Sequence, residues 1–60
     1  MPYVTVELFE GRTVEQKRAA AKAITDAIVT HLGTTAEATH VIFRDMKREN
    51  LGIAGKLASD

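Results

Sequence analysis

The most constraining feature of this chain is a block with helix signals at both ends, residues 13–33, set between two runs that read as strands. Thr13-Val14-Glu15-Gln16 fits a capping box, with Thr13 as the N-cap and Gln16 reaching back to it. Gly33 suits the left-handed position that closes a helix. Together these bounds predict a helix over residues 14–32. Ala20, Ile24, Ile28 and Leu32 recur every four residues, and Ala21 and Ala27 widen that stripe. The charged residues Glu15, Lys17, Arg18, Lys22 and Asp26 fall mostly off it. The alanines favour helix and allow a sheet or second helix to approach closely.

Residues 3–9, Tyr-Val-Thr-Val-Glu-Leu-Phe, are rich in β-branched and aromatic side chains and predict the first strand. Alternation puts Val4, Val6 and Leu8 on one face, towards the helix, and Tyr3, Thr5, Glu7 and Phe9 on the other. Glu10-Gly11 reads as a turn. Residues 34–38 connect the helix to a second strand over 39–45. His40, Ile42 and Arg44 share one face of that strand, and Val41 and Phe43 the other. A strand, a long helix and a strand make a β-α-β unit, with parallel strands and a right-handed crossover. Residues 47–50 are a polar connection. Residues 51–57 are too short and glycine-rich for a helix and read as a small hairpin or arm. Gly52-x-x-Gly55 lacks the context of a phosphate loop.

This α/β unit is small: one domain over residues 1–60, in a size range where disulfides, metals or oligomers usually supply support. Cysteine is absent, and His31 and His40 form no ligand cluster. The remaining support is self-association. A composition 45% hydrophobic predicts a homo-oligomer in which part of the apolar surface is interface. Eight acidic and eight basic side chains cancel, which argues against a nucleic-acid surface. Lys17-Arg18 and Lys47-Arg48 read as solvated basic pairs. No long apolar run points to a membrane, and the lack of cysteine fits a cytoplasmic protein.

Pro2 stands directly before the first strand. It can simply begin an edge strand, where a missing N–H is harmless. It is also small enough at the second position for Met1 to be removed. The new N-terminus would then be a secondary amine, a candidate general base.

The sequence resembles the 4-oxalocrotonate tautomerase family along essentially its whole length. The resemblance is carried by Pro2, by Leu8-Phe9-Glu10-Gly11-Arg12 with Thr13-x-Glu15-Gln16-Lys17, and by Gly52-Ile53-Ala54-Gly55-Lys56-Leu57-Ala58-Ser59. It implies a β-α-β subunit with a short C-terminal hairpin. It also implies dimers with a four-stranded sheet, and a hexamer built as a trimer of dimers. The implied chemistry is a keto–enol tautomerisation without cofactor or metal. Pro2, as amino-terminal proline, takes a proton from a small unsaturated 2-hydroxy or 2-oxo acid and returns it elsewhere on the conjugated chain. Burial and nearby positive charge would lower the pKa of that amine towards the working pH.

The resemblance makes Arg12 the cation for the substrate carboxylate, and Phe9 takes the place of a leucine lining the pocket. Two positions depart from the family pattern. His40 stands where the family has a second substrate-binding arginine, and Leu51 where it has an aromatic lining residue. His40 can donate a hydrogen bond but lacks the fixed fork and permanent charge of arginine. Arg44 can replace that charge, or pair with Asp45, Glu49 or a neighbouring chain. With one arginine gone, a monocarboxylate such as phenylenolpyruvate stands beside a dicarboxylate such as 2-hydroxymuconate. The alternatives are a hydratase- or dehalogenase-type relative, and a catalytically silent member serving as an oligomeric scaffold.

Overall fold

The run at the amino end forms β1, Tyr3–Phe9, and the capped block forms α1, Val14–Leu32. The second strand is β2, His40–Met46. These elements come from a computed structural model that describes all of residues 1–60. Both halves of the capping box form: Gln16 N–H donates to Thr13 Oγ1 at 3.1 Å, and Thr13 N–H to Gln16 Oε1 at 2.9 Å. Gly33 closes the helix at φ 69° in the left-handed region.

β1 and β2 pair in parallel, with Tyr3 opposite His40 and Phe9 opposite Met46. β2 lies one residue later than the expected 39–45. Thr39 is held in the preceding turn, its N–H on Ala36 O and its hydroxyl on Thr35 O. At the other end Glu10 N–H donates to Met46 O at 2.9 Å, which carries the ladder past Asp45. A 3₁₀ turn, Arg48–Asn50, then leads to a hairpin of β3, Gly52–Ile53, and β4, Lys56–Leu57. Ala54 and Gly55 form its two-residue loop, both at positive φ, so the Gly-x-x-Gly segment is a hairpin turn.

The helix-facing sheet positions Val4, Val6, Leu8, Val41 and Phe43 are half-buried, as alternation predicts. The helix contributes Ala20, Ala21, Ile24 and Ile28 as expected, with Thr25 and Val29 added. Ala27 turns outward, and Leu32 is 65% exposed. Leu32 does continue the stripe. However, a helix of this length is about 28 Å long, against about 20 Å for strands like these, so its last turn overruns the sheet. Lys17, placed off the stripe by sequence, is half-buried and reaches across to Asp45 at 2.7 Å.

That ion pair settles one expectation about Arg44. Asp45 faces the helix side of β2 and is taken by Lys17, and Arg44, on the opposite face, pairs with neither Asp45 nor Glu49 within the chain. The opposite sheet face is uncovered. It presents Tyr3, Thr5, Glu7 and Phe9 beside His40, Ile42, Arg44 and Met46.

One chain alone does not close a core: no residue is fully buried. Its accessible area is 4683 Å², where a folded monomer of 6.5 kDa exposes about 3,800 Å². Its radius of gyration is 14.4 Å, against about 10 Å for a compact 60-residue domain.

Candidate active site

Because the strands are parallel, residues that precede both strands gather at one end of the sheet, and residues that follow both gather at the other. At the amino end Pro2 is half-buried, and its carbonyl accepts the His40 N–H at 3.0 Å. The His40 ring stacks on Tyr3, with centroids 4.8 Å apart and planes 23° apart. Neither ring nitrogen of His40 makes a hydrogen bond, so both remain free for a ligand. Met1 precedes Pro2, and its ammonium donates to Ala38 O at 2.9 Å. With Met1 attached, the Pro2 nitrogen belongs to an amide and has no basic lone pair.

The carboxyl end is built differently. Phe9 and Leu51 line one shallow cavity of about 290 Å³ together with Met46. Phe9 and Arg12 line a second, of about 230 Å³, together with Gly11 and Arg48. The Arg48 guanidinium lies over the Phe9 ring, 4.3 Å from its centroid. Neither Arg12 nor Arg48 forms an ion pair; the three ion pairs are Lys17–Asp45, Arg18–Glu15 and Lys22–Asp26. Asp26 raises the pKa of Lys22 by hydrogen bond and charge, on the exposed side of α1.

The site residues expected from sequence therefore fall into two groups. Pro2 and His40 meet at the amino end, and Phe9, Arg12 and Leu51 meet at the carboxyl end. The length of β1, about 20 Å, separates them. A small unsaturated acid does not bridge that distance within one chain. Arg48, which reads from sequence as half of a solvated basic pair, also lines the carboxyl-end cavity. The available signal was topological: residues just after β2 must arrive beside residues just after β1.

Comparison with known proteins gives one answer. The family model described as "Tautomerase enzyme" matches residues 2–60. A "Probable tautomerase" of Lactococcus lactis subsp. lactis (strain IL1403) is 54% identical over 57 residues, covering 95% of this chain and 93% of that protein. The 2-hydroxymuconate tautomerase of Bacillus subtilis (strain 168) is 42% identical over 60 residues, covering 100% and 97%. The crystal structure of YwhB, a homologue of 4-oxalocrotonate tautomerase, superposes with a TM-score of 0.94 at 41% identity, covering 98% of this chain and 97% of that one. The β-α-β unit with its C-terminal hairpin is thus a fold shared with enzymes of this kind. The chain belongs to the 4-oxalocrotonate tautomerase family of the tautomerases, and it is an isomerase that interconverts keto and enol forms.

Proposed function

We propose that the chain, after removal of Met1, uses the Pro2 amine as the general base of a keto–enol tautomerisation on a small unsaturated 2-hydroxy or 2-oxo carboxylic acid. The amine takes the enol O–H proton, leaving a conjugated enolate. The prolinium then returns that proton to carbon along the chain, so the amine is regenerated and no external reagent is consumed. Arg12 holds the substrate carboxylate and stabilises enolate charge. Phe9 and Leu51 form an apolar wall, and His40 donates a hydrogen bond beside Pro2.

The observation that carries this reading is the seat of Pro2. It is half-buried at the head of β1 and anchored through its carbonyl to His40, so its nitrogen is positioned at the sheet end. The named activity of the Bacillus subtilis relative, 2-hydroxymuconate tautomerase, supports a substrate of this class.

The separation of Pro2 from Arg12 gives the proposal its second part: a complete site takes Pro2 from one chain and Arg12 from another. Association of several copies, as in a hexamer, also answers the uncovered sheet face and the large exposed area.

The test follows ketonisation of 2-hydroxymuconate and of phenylenolpyruvate by protein whose mass confirms Met1 removal. Protein retaining Met1 and the Pro2→Ala variant are the controls. Losing a positioned general base removes about 10²–10⁴-fold in kcat/KM. The Met1-retaining form should show the full loss, since it has no amine at position 2. Equal activity with and without Met1 would refute the proline-base mechanism.

A further inference from the structure

The carboxyl end of β1 holds more positive charge than one substrate arginine accounts for. Arg12 follows the Gly11 turn and Arg48 follows β2, and both line one cavity together with Phe9, over whose ring Arg48 sits. Like charges gathered in one cavity repel, and the usual remedy is a carboxylate partner. Glu10 also lines this cavity, yet it forms no ion pair with either arginine. Two arginines thus line one cavity and neither is ion-paired, which is an arrangement an anion can complete.

The stacking of Arg48 adds to this. A guanidinium lying on a ring uses only its face. Its N–H groups radiate from the edge and stay available for a carboxylate. Phe9 therefore holds the Arg48 guanidinium over its ring, and no hydrogen bond within the chain takes the Arg48 donors. The backbone fixes the base of the side chain as well. Asn50 N–H donates to Lys47 O at 2.9 Å and Leu51 N–H to Arg48 O at 3.3 Å, closing the 3₁₀ turn that carries Arg48.

We infer that Arg48 is a second carboxylate-binding residue, holding with Arg12 the same carboxylate of the substrate above the Phe9 ring. This rests on the reading of Arg12 given above and extends it. A carboxylate has two oxygens and room for several donors, so one group can accept from both arginines. Because both cations act at one end of the substrate, Arg48 strengthens binding of mono- and dicarboxylates alike. Discrimination between them is left to His40, beside Pro2 on the chain that supplies the base.

The experiment uses the processed full chain and four variants: Arg48→Met, Arg48→Lys, Arg48→Glu and Arg12→Ala. Methionine keeps an apolar stem on Phe9 and loses the charge. Two readouts are needed. One is kcat and KM for 2-hydroxymuconate and phenylenolpyruvate. The other is calorimetric binding of cis,cis-muconate, a dicarboxylate with no enol, which does not depend on turnover. Arg48→Met should raise KM for both substrates, and Kd for muconate, by about tenfold, as expected for one charge-assisted bond at an exposed site. It should change kcat little. Arg48→Lys should fall between Met and the parent, and Arg48→Glu should bind more weakly than Met.

If Arg48→Met and Arg48→Glu keep the parental KM and Kd while Arg12→Ala loses muconate binding, Arg48 merely packs on Phe9, and only this inference falls. If Arg12→Ala also binds muconate normally, the carboxylate site itself is misassigned and both readings fall together.

Discussion

Tyr3 and Phe9 begin and end the same strand, yet the two ends of the sheet that they mark do different things. The Tyr3 end is tied by backbone: the Met1 ammonium on Ala38 O, and the His40 N–H on Pro2 O. Its ring contact is the stacked Tyr3–His40 pair, and its candidate chemistry is proton transfer at Pro2. The Phe9 end gathers Arg12 from the β1–α1 connection and Arg48 and Leu51 from the connection after β2, and its candidate chemistry is anion binding. A parallel crossover sorts residues in this way without regard to sequence distance. Pro2 and His40, far apart in the chain, become neighbours, while Pro2 and Arg12, ten positions apart, are kept at opposite ends. On the proposed mechanism, a fold of this size divides one reaction between two ends, and a second copy reunites them.

The sharpest way to break this comparison is to disable each end in a different chain. Pro2→Ala and Arg12→Ala proteins should each be nearly inactive alone. When unfolded together and refolded as a mixture, they should recover activity. If each site draws Pro2 and Arg12 from different chains, random mixing leaves about a quarter of the sites with both residues intact. Steady-state assay of the mixture against each variant alone decides the matter. A mixture no more active than the average of its parts would mean that both residues act within one chain.

His40 offers a second test, confined to the amino end. It is exposed, its ring nitrogens are free, and it stands where the family pattern has arginine. The His40→Arg substitution should raise kcat/KM for 2-hydroxymuconate about tenfold over any gain for phenylenolpyruvate, because only the dicarboxylate has a second anion to hold. An equal rise for both substrates would mean that position 40 does not read the distal carboxylate. This outcome contrasts with that expected at Arg48, where the two substrates should move together.

The sequence was most legible where local chemistry alone decides structure. Thr13, Gln16 and Gly33 mark α1 to the residue, because caps are formed by side chains within one turn of the helix end. Alternation in β1 correctly separates Val4, Val6 and Leu8 from Tyr3, Thr5 and Glu7. Legibility failed where length or long-range placement decides. Leu32 fits the stripe, yet it projects past a shorter sheet. Lys17 looks like a surface residue until β2 brings Asp45 to it across 28 positions. Arg48 looks like half of a charge pair until the 3₁₀ turn sets it over Phe9. The candidate site was named residue by residue through resemblance, but its division between two ends follows only from the parallel register. No local pattern around Pro2 or Arg12 carries that information.

The smallest expected effect tests whether the two ends are independent. Ala54 adopts φ 53° in the two-residue loop between β3 and β4, where an L-residue other than Asn or Gly is disfavoured. The left-handed region costs about 1–2 kcal/mol for an ordinary residue, and asparagine recovers part of that. The Ala54→Asn substitution should therefore stabilise the hairpin by about 0.5–1 kcal/mol, on the scale set by that penalty. The hairpin is tied to the carboxyl end through Ala58 N–H on Leu51 O at 2.9 Å. Amide exchange should accordingly slow at Leu57 and Ala58 and stay unchanged at His40, whose N–H reports the Pro2 end. Equal slowing at His40 would show that the hairpin stiffens the whole sheet, so that the two ends act as one unit despite their separation.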